Sequence, residues 1–280
     1  MYDAGCLNLG FYFTVVYNPD MENKFRNIGM AITTAFVMLN INESFGQNGN
    51  LKYEHGVIDP VRTEKRADQN MPSGFQRDQV VGLENGQEKT VASIFWFNEG
   101  QTKAHFYTKE SNPELFSPKI NFEAVNQESR SRGSETVIAF AGAYKNSDGK
   151  IEGVAIENGN SVGSSSYSKS GFVYIGPSGK IDLYRLRDES TNSVDKVKAD
   201  ALVSRATAEG GSLYQQIPAI WEGLERVDTH SPGKFEWRAI CQTKDGKKFI
   251  LNCTDKITMR DFLIMALNIK DKTMLHWCMI

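Results

Sequence analysis

The chain reads as an α+β fold, a mostly antiparallel, hairpin-rich sheet with about two packed helices, and three observations predict it. Three segments place a polar-Gly-Lys turn between β-rich stretches: Asn146 to Ile151, Gly176 to Ile181 and Thr243 to Lys248. Such turns are the signature of two-residue β-hairpins. Aromatic and β-branched runs such as Val91 to Phe97 and Ala104 to Thr108 favour strands. Helical periodicity is confined to two stretches near the C-terminal end. The turn spacings are unequal and their flanks unrelated, so a solenoid repeat is excluded.

The N-terminal part sets the expected domain organisation. Lys24 and Arg26 precede an apolar run from Ile28 to Ile41, followed by Ser44-Phe45-Gly46, where small residues stand at the two positions a signal peptidase reads. Residues 21–46 therefore read as a signal peptide, with an amphipathic first helix as the competing reading. An export signal begins a chain, so residues 1–20 read as translated upstream sequence. Residues 47–89 are polar and read as a loosely packed leader; the mixed-sign cluster from Arg62 to Asp68 is a solvated face. The folded domain is expected over 90–280, secreted or periplasmic, with no membrane span in the mature chain.

Within that domain each element has a local reason. Val91 to Phe97 and Ala104 to Thr108 flank the turn Asn98 to Gln101 and predict an opening hairpin. His105, lone in a strand, is expected to be structural. Val137 to Phe140 is a short apolar strand broken by Gly142, and Asp148-Gly149 reads as a turn before a second strand over Ile151 to Ile156. Ser161 to Gly171 is rich in Ser and Gly, with Tyr167 and Lys169, and predicts a mobile loop able to close over a ligand. Val194 to Ala208 fits an amphipathic helix ended by Gly210-Gly211. Thr258 followed by Asp261 resembles a capping box for a helix from Met259 to about Asn268.

Composition narrows the function. The 280 residues are 40% hydrophobic and 11% aromatic, enough for a sizeable core, and the formal charge of −2 gives no reason to expect nucleic acid as a partner. Four cysteines lack metal-type spacing, and His55, His105, His230 and His276 contain no pair at helical spacing, so neither a metal nor a cofactor is expected.

Three blocks, in order, resemble the phosphodiester glycosidase family. The first is Ala139-Phe140-Ala141-Gly142-Ala143-Tyr144, then Gly153-Val154-Ala155-Ile156 and Asn158-Gly159. The second is Gly210-Gly211-Ser212-Leu213-Tyr214-Gln215-Gln216-Ile217-Pro218. The third is Trp237-Arg238-Ala239-Ile240 with Asp245-Gly246 after it. The resemblance covers about Thr90 to Asn268. It implies a hydrolase acting on a sugar-1-phosphodiester or a related glycosidic phosphate. Gly142, Tyr144, Gly211 and Gln216 would then line the substrate pocket and Arg238 would be the catalytic-site residue holding phosphate. A guanidinium suits that role through bidentate hydrogen bonding, although a salt-bridged structural arginine is the competing reading.

Two departures bear on activity. Ala141 stands where the family has Asn. The family's closing strand supplies an acidic residue and a glycine-rich turn, whereas here Thr273 to Ile280 follows Asp271 with no further carboxylate. Glycoside cleavage ordinarily uses carboxylates as acid and base. The alternative to an enzyme is therefore a non-catalytic glycan- or phosphoglycan-binding protein, truncated before that strand and left with an open sheet edge. A two-residue turn at Asp245-Gly246 would pair Arg238 with Cys253 and turn Cys241 to the opposite face, which disfavours a Cys241–Cys253 disulfide.

Overall fold

Strand follows strand along most of the chain, and the helices serve as covers. In the computed structural model the described residues are 11–17, 59–66, 76–84, 87–98, 100–117, 119–144, 150–221, 224–225, 233–268 and 275–279. The first half gives β1 (Phe11–Tyr17), β2 (Asp59–Arg66), β3 (Arg77–Glu84), β4 (Gln87–Trp96), β5 (Thr102–Thr108), β6 (Phe116–Ser117), β7 (Lys119–Ile120), α1 (Phe122–Ser131) and β8 (Glu135–Ala141). The middle gives β9 (Ala155–Glu157), β10 (Asn160–Ser161), β11 (Gly171–Ile175), β12 (Ile181–Arg185), β13 (Arg187–Asp188), β14 (Ser193–Val194) and α2 (Lys196–Glu209). The last part gives β15 (Ser212–Gln216), β16 (Pro218–Trp221), β17 (Leu224–Glu225), β18 (Lys234–Thr243), β19 (Lys248–Thr258), α3 (Met259–Asn268) and β20 (Leu275–Met279). The expected α+β class is what the chain adopts, and the strand pairs are antiparallel.

The layers follow from which residues alternate inward. An eight-stranded sheet, in the order β17-β16-β20-β18-β19-β4-β3-β2, faces a five-stranded sheet, β10-β9-β15-β11-β12, and a three-stranded one, β5-β1-β8. Ile240, Ile250 and Met279 from the first meet Val173, Ile175 and Tyr214 from the second and Phe106 and Phe140 from the third. Phe106 stacks on Tyr214 at 4.8 Å, joining two of the sheets. Side chains of this size contribute roughly 1.5–3 kcal/mol each when fully buried. The outer face of the large sheet, through Ala239, Cys241, Leu251 and Cys253, packs under Phe262 and Leu263 of α3. The outer face of the five-stranded sheet, through Phe172 and Leu213, packs under Ala199, Leu202 and Ala206 of α2.

Both predicted helices form where their caps place them. Asp195 caps α2 by accepting from Lys198 N, and Gly210, at φ 70°, ends it in the left-handed conformation glycine tolerates. Thr258 Oγ1 accepts from Asp261 N and donates to Asp261 Oδ2, the predicted capping box. A third helix, α1, was not expected. Asn121 caps it through Glu123 N and Ala124 N, and its weakly apolar sequence packs Val125 on Tyr107, Leu115 and Phe116.

Several expectations are corrected. β4 and β5 do not pair with each other: β4 lies between β3 and β19, while β5 pairs β1. Their turn, in which Asn98 O accepts from Gln101 N and Thr102 N, passes the chain from one sheet to another. The stretch read as a leader supplies β2 and β3, and Val80 is fully buried. Phe11–Tyr17, read as upstream sequence, is the middle strand between β5 and β8, as its aromatic and β-branched composition permits. The expected signal peptide 21–46 and the turn at Asp148-Gly149 lie outside the described residues.

The β11–β12 and β18–β19 turns hold three residues rather than two. Gly176 N donates to Lys180 O, and Thr243 N to Lys247 O, with Gly179 (φ 80°) and Gly246 (φ 86°) in the left-handed region as the third loop residue. This glycine-bulge loop is the next commonest hairpin connection. The extra residue moves the register by one, so Arg238 pairs Asn252, not Cys253. Cys253 therefore shares the α3-facing side with Cys241, against the expectation of opposite faces. It sits four residues beyond Cys241's partner Phe249, roughly 13 Å along the strand, and remains a free thiol. Cys241 bonds Cys278 of β20 instead, 4.1 Å away between Cα atoms. That final strand lies between β16 and β18, so the expected open sheet edge is not there. Among the described residues no helix is long and apolar enough to cross a membrane.

Candidate functional site

The site forms where the five-stranded sheet hands the chain to the large one, at the end of β15. Alternation along β15 turns Tyr214 and Gln216 toward the central core and Leu213 and Gln215 toward the other face. The two glutamines therefore do different work. Gln215 Oε1 accepts from Val154 N (2.9 Å) and Ser168 N (3.2 Å), while its Nε2 donates to Lys169 O. A Cβ on Gly153, at φ 86°, would collide with Gln215 Oε1, so only glycine lets that strand approach. The loop 162–170, expected to be mobile, is stapled down by this amide and by Ser164 N donating to Gly153 O.

Gln216 reaches the other way. Its Nε2 donates to Gly142 O at the end of β8, and its buried Oε1 has no hydrogen-bond partner among the described residues. Two residues on, Tyr144 O accepts from Glu152 N at 2.8 Å. Lys169 Nζ lies 5.8 Å from the centre of the Tyr144 ring and pairs Glu152 at 2.7 Å. Burial, then the Glu152 charge, push the Tyr144 phenol above its ordinary range, so it stays protonated at neutral pH. The structure thus brings together Gly142, Tyr144 and Gln216 with Glu152 and Lys169.

Of this group only Lys169 lines a cleft of about 570 Å3, whose walls are Tyr167 to Ser170, Arg187 and Ser193 of the β13–β14 hairpin and Ile217-Pro218; Gly142, Tyr144, Glu152 and Gln216 are not among its lining residues. Two cations face it. Lys169 has Glu152 as partner; Arg187 has its Nε 4.0 Å from Glu189 Oε2, and that Nε is buried without a hydrogen bond. Glu189 also pairs Arg185 at 2.5 Å, so one carboxylate serves two guanidinium groups. The charged residues of the lining are both cations, and with Ser168, Ser170 and Ser193 it is rich in donors. Such a lining suits a phosphate or another anion. Sequence reasoning missed Arg187 and Glu152, since a lone arginine in Arg185-Leu-Arg-Asp188 carries no motif.

The other two sequence candidates sit elsewhere. Gly211 is at the opposite end of β15 from Gln216, where it accepts from Gly159 N and packs beneath Tyr174, which leaves 2.9 Å for a Cβ. Arg238 is on β18, with Nε donating to Asn252 Oδ1 at 2.7 Å and Nη2 3.4 Å from Glu236 Oε2. The strand β18 belongs to the eight-stranded sheet and β15 to the five-stranded one, and Arg238 is not among the residues lining the cleft. Among the described residues, no group of three His, Cys, Asp or Glu side chains is placed to hold a metal.

No protein-family model matches the chain, and no curated protein matches it. Among solved structures it is similar to the zebrafish N-acetylglucosamine-1-phosphodiester α-N-acetylglucosaminidase catalytic domain auto-inhibited by its pro-peptide. The identity is 10% and the TM-score 0.43, over 78% of this chain and 74% of that one. A likeness at this level is a distant one of overall fold, and it assigns no residue of the site.

Proposed function

We propose that the cleft beside Gln216 recognises a phosphodiester-linked sugar, and that the chain is a phosphodiester glycosidase-like protein acting on the sugar-phosphate glycosidic bond. The observation that carries this reading is the pair of cations, Lys169 and Arg187, on the wall of a cleft of ligand size, with the Arg187 Nε buried without a hydrogen bond. In this reading Arg187 and Lys169 hold the phosphodiester and the tyrosines beside them pack on the sugar. Glu152, ion-paired to Lys169, is the carboxylate next to this wall of the cleft, and in this reading it exchanges a proton with the glycosidic oxygen.

One observation favours a second reading, that of a binding protein without turnover. Glycosidases generally work with two carboxylates. Here Glu152 is committed to Lys169 and does not line the cleft, and no carboxylate is among the residues that do. The test is paired: calorimetry with a chromogenic sugar-1-phosphodiester, then release of the chromophore at matched protein concentration. Binding with turnover that is lost in Glu152→Gln supports hydrolysis. Binding without turnover supports the second reading, and no binding at all overturns both.

We further propose that the protein is secreted or periplasmic, a reading supported by the buried Cys241–Cys278 disulfide, since disulfides persist in oxidising compartments. N-terminal sequencing of exported material checks it. A terminus at Gln47 would mean that β5 and β8 lose the strand between them, and intact Met1 in the cytoplasm would overturn export.

A further inference from the structure

We propose a second binding site, for a small phosphate monoester with an apolar or ring-shaped body, in the cleft between the turn after β4, the β11–β12 loop and the start of β19. This cleft holds about 350 Å3 and shares no lining residue with the Lys169–Arg187 cleft. Its floor is apolar, Phe97 and Ile181, and Lys103, Lys180 and Lys248 surround it. The three lysines come from three separate elements, and backbone hydrogen bonds hold those elements together. Ala104 N donates to Gly179 O at 2.9 Å, and Phe97 N to Lys248 O at 2.8 Å.

The base of the Lys103 side chain packs against the β11–β12 loop: a Cβ on Gly179 would stand 2.6 Å from Lys103 Cβ, so glycine is what lets the loop approach the lysine at the cleft wall. Among the described residues no carboxylate pairs with Lys103 or Lys180, both of which border the cavity. Ammonium groups are hydrated point charges and lack the planar fork of arginine, so several of them together suit a tetrahedral dianion better than a planar carboxylate. The aromatic floor gives the ligand's body somewhere to lie, which inorganic phosphate cannot use.

Calorimetry of the full chain with phenyl phosphate, phenyl sulfate, benzyl alcohol and inorganic phosphate tests this. Phenyl phosphate is expected to bind with a Kd on the order of 1 mM or tighter, with the other three probes each at least about fivefold weaker. Raising NaCl from about 50 to 300 mM should weaken it about fivefold through screening. The double variant Lys103→Gln, Lys180→Gln should weaken it about tenfold at an unchanged melting temperature, while Arg187→Gln should leave it unchanged. That last comparison separates this site from the proposed glycosidic cleft, whose failure would leave this result standing. Absence of binding, insensitivity to salt, equal binding of benzyl alcohol, or loss in Arg187→Gln each overturns the proposal. If the double variant melts early, the salt dependence of the unaltered chain decides.

Discussion

The two large sheets of this molecule solve the same packing problem with different side chains. The eight-stranded sheet is apolar on both faces around β18 and β19, and its central strands are tied by Cys241–Cys278. The five-stranded sheet buries Glu157, Ser212, Gln215 and Gln216 among its apolar residues, each under a tenth exposed. Each of these has a hydrogen-bonding task. Glu157 accepts from Thr108 Oγ1 and Asn112 Nδ2, Ser212 Oγ accepts from Asn158 N, and the glutamines hold the loops. Buried polar groups that are satisfied specify one arrangement and are costly when broken, which is what a site assembled from loops needs. Apolar faces stabilise a platform without specifying where its loops go.

The largest effect should come from the platform. Replacing Cys241 and Cys278 with alanine opens a cross-link spanning 37 residues, and the chain-entropy account puts the loss at about 4 kcal/mol. A thermal or denaturant melt of the double variant measures it. If the loss is under about 1 kcal/mol, the apolar faces alone hold the large sheet and the contrast sharpens.

The staple comes next. Gln215→Ala leaves Val154 N, Ser168 N and Lys169 O without their partner, for about 3 kcal/mol if water does not replace the amide. Limited proteolysis should then cut within 162–170, while the hairpin β18–β19 stays resistant. Cutting in both regions at once would show that the two sheets unfold as one unit.

Acid should probe the three-stranded sheet, on its face toward α1. Burial, with Arg132 and Lys103 adding to it, lowers the His105 imidazole from 6.5 to about 4. The unfolded chain therefore binds that proton first, and stability rises with pH between about 4 and 6.5 and is lost as pH falls through that window. The limit is about 3 kcal/mol. Melts from pH 7 to 4 should show the slope in the native chain and a shallower one in His105→Phe.

The smallest expected effects separate the two arginines. Arg187→Lys keeps the charge and loses the fork, and should weaken a sugar phosphodiester about tenfold at unchanged stability. Arg238→Lys should weaken it two- to threefold, because Nε is already engaged by Asn252. Calorimetry of both variants makes the comparison. The reverse order would return the phosphate to Arg238 and place the centre of the site on the large sheet.

Much of the local structure was legible. The helices α2 and α3 fell where Asp195, Gly210, Thr258 and Asp261 placed them, because a cap is a contact among residues three or four apart. Asn121 carried the same signal for α1, hidden by a helix with little apolar periodicity. The strands β2 and β3 were hidden because their sequences, DPVRTEKR and RDQVVGLE, carry little apolar alternation. Among the site candidates Gln216 meets Gly142 through a hydrogen bond, Gly211 and Arg238 occupy other positions, and none of them lines the cleft, whose Arg187 had no pattern to reveal it.

What the sequence determined by itself is therefore what short-range physics can settle: the α+β class, the glycine-bearing hairpins and the capped helices. What only the tertiary structure decided is which strands are neighbours, and with that the Cys241–Cys278 bond, the partner of Arg238 and the meeting of Lys169 with Glu152. Alternation tells a residue which face it takes but not which strand lies beside it, and one added loop residue shifts every partner in a hairpin. Pairing is settled by burying all the faces at once, in a core where Phe106, Tyr214, Ile240 and Met279 come from four distant parts of the chain.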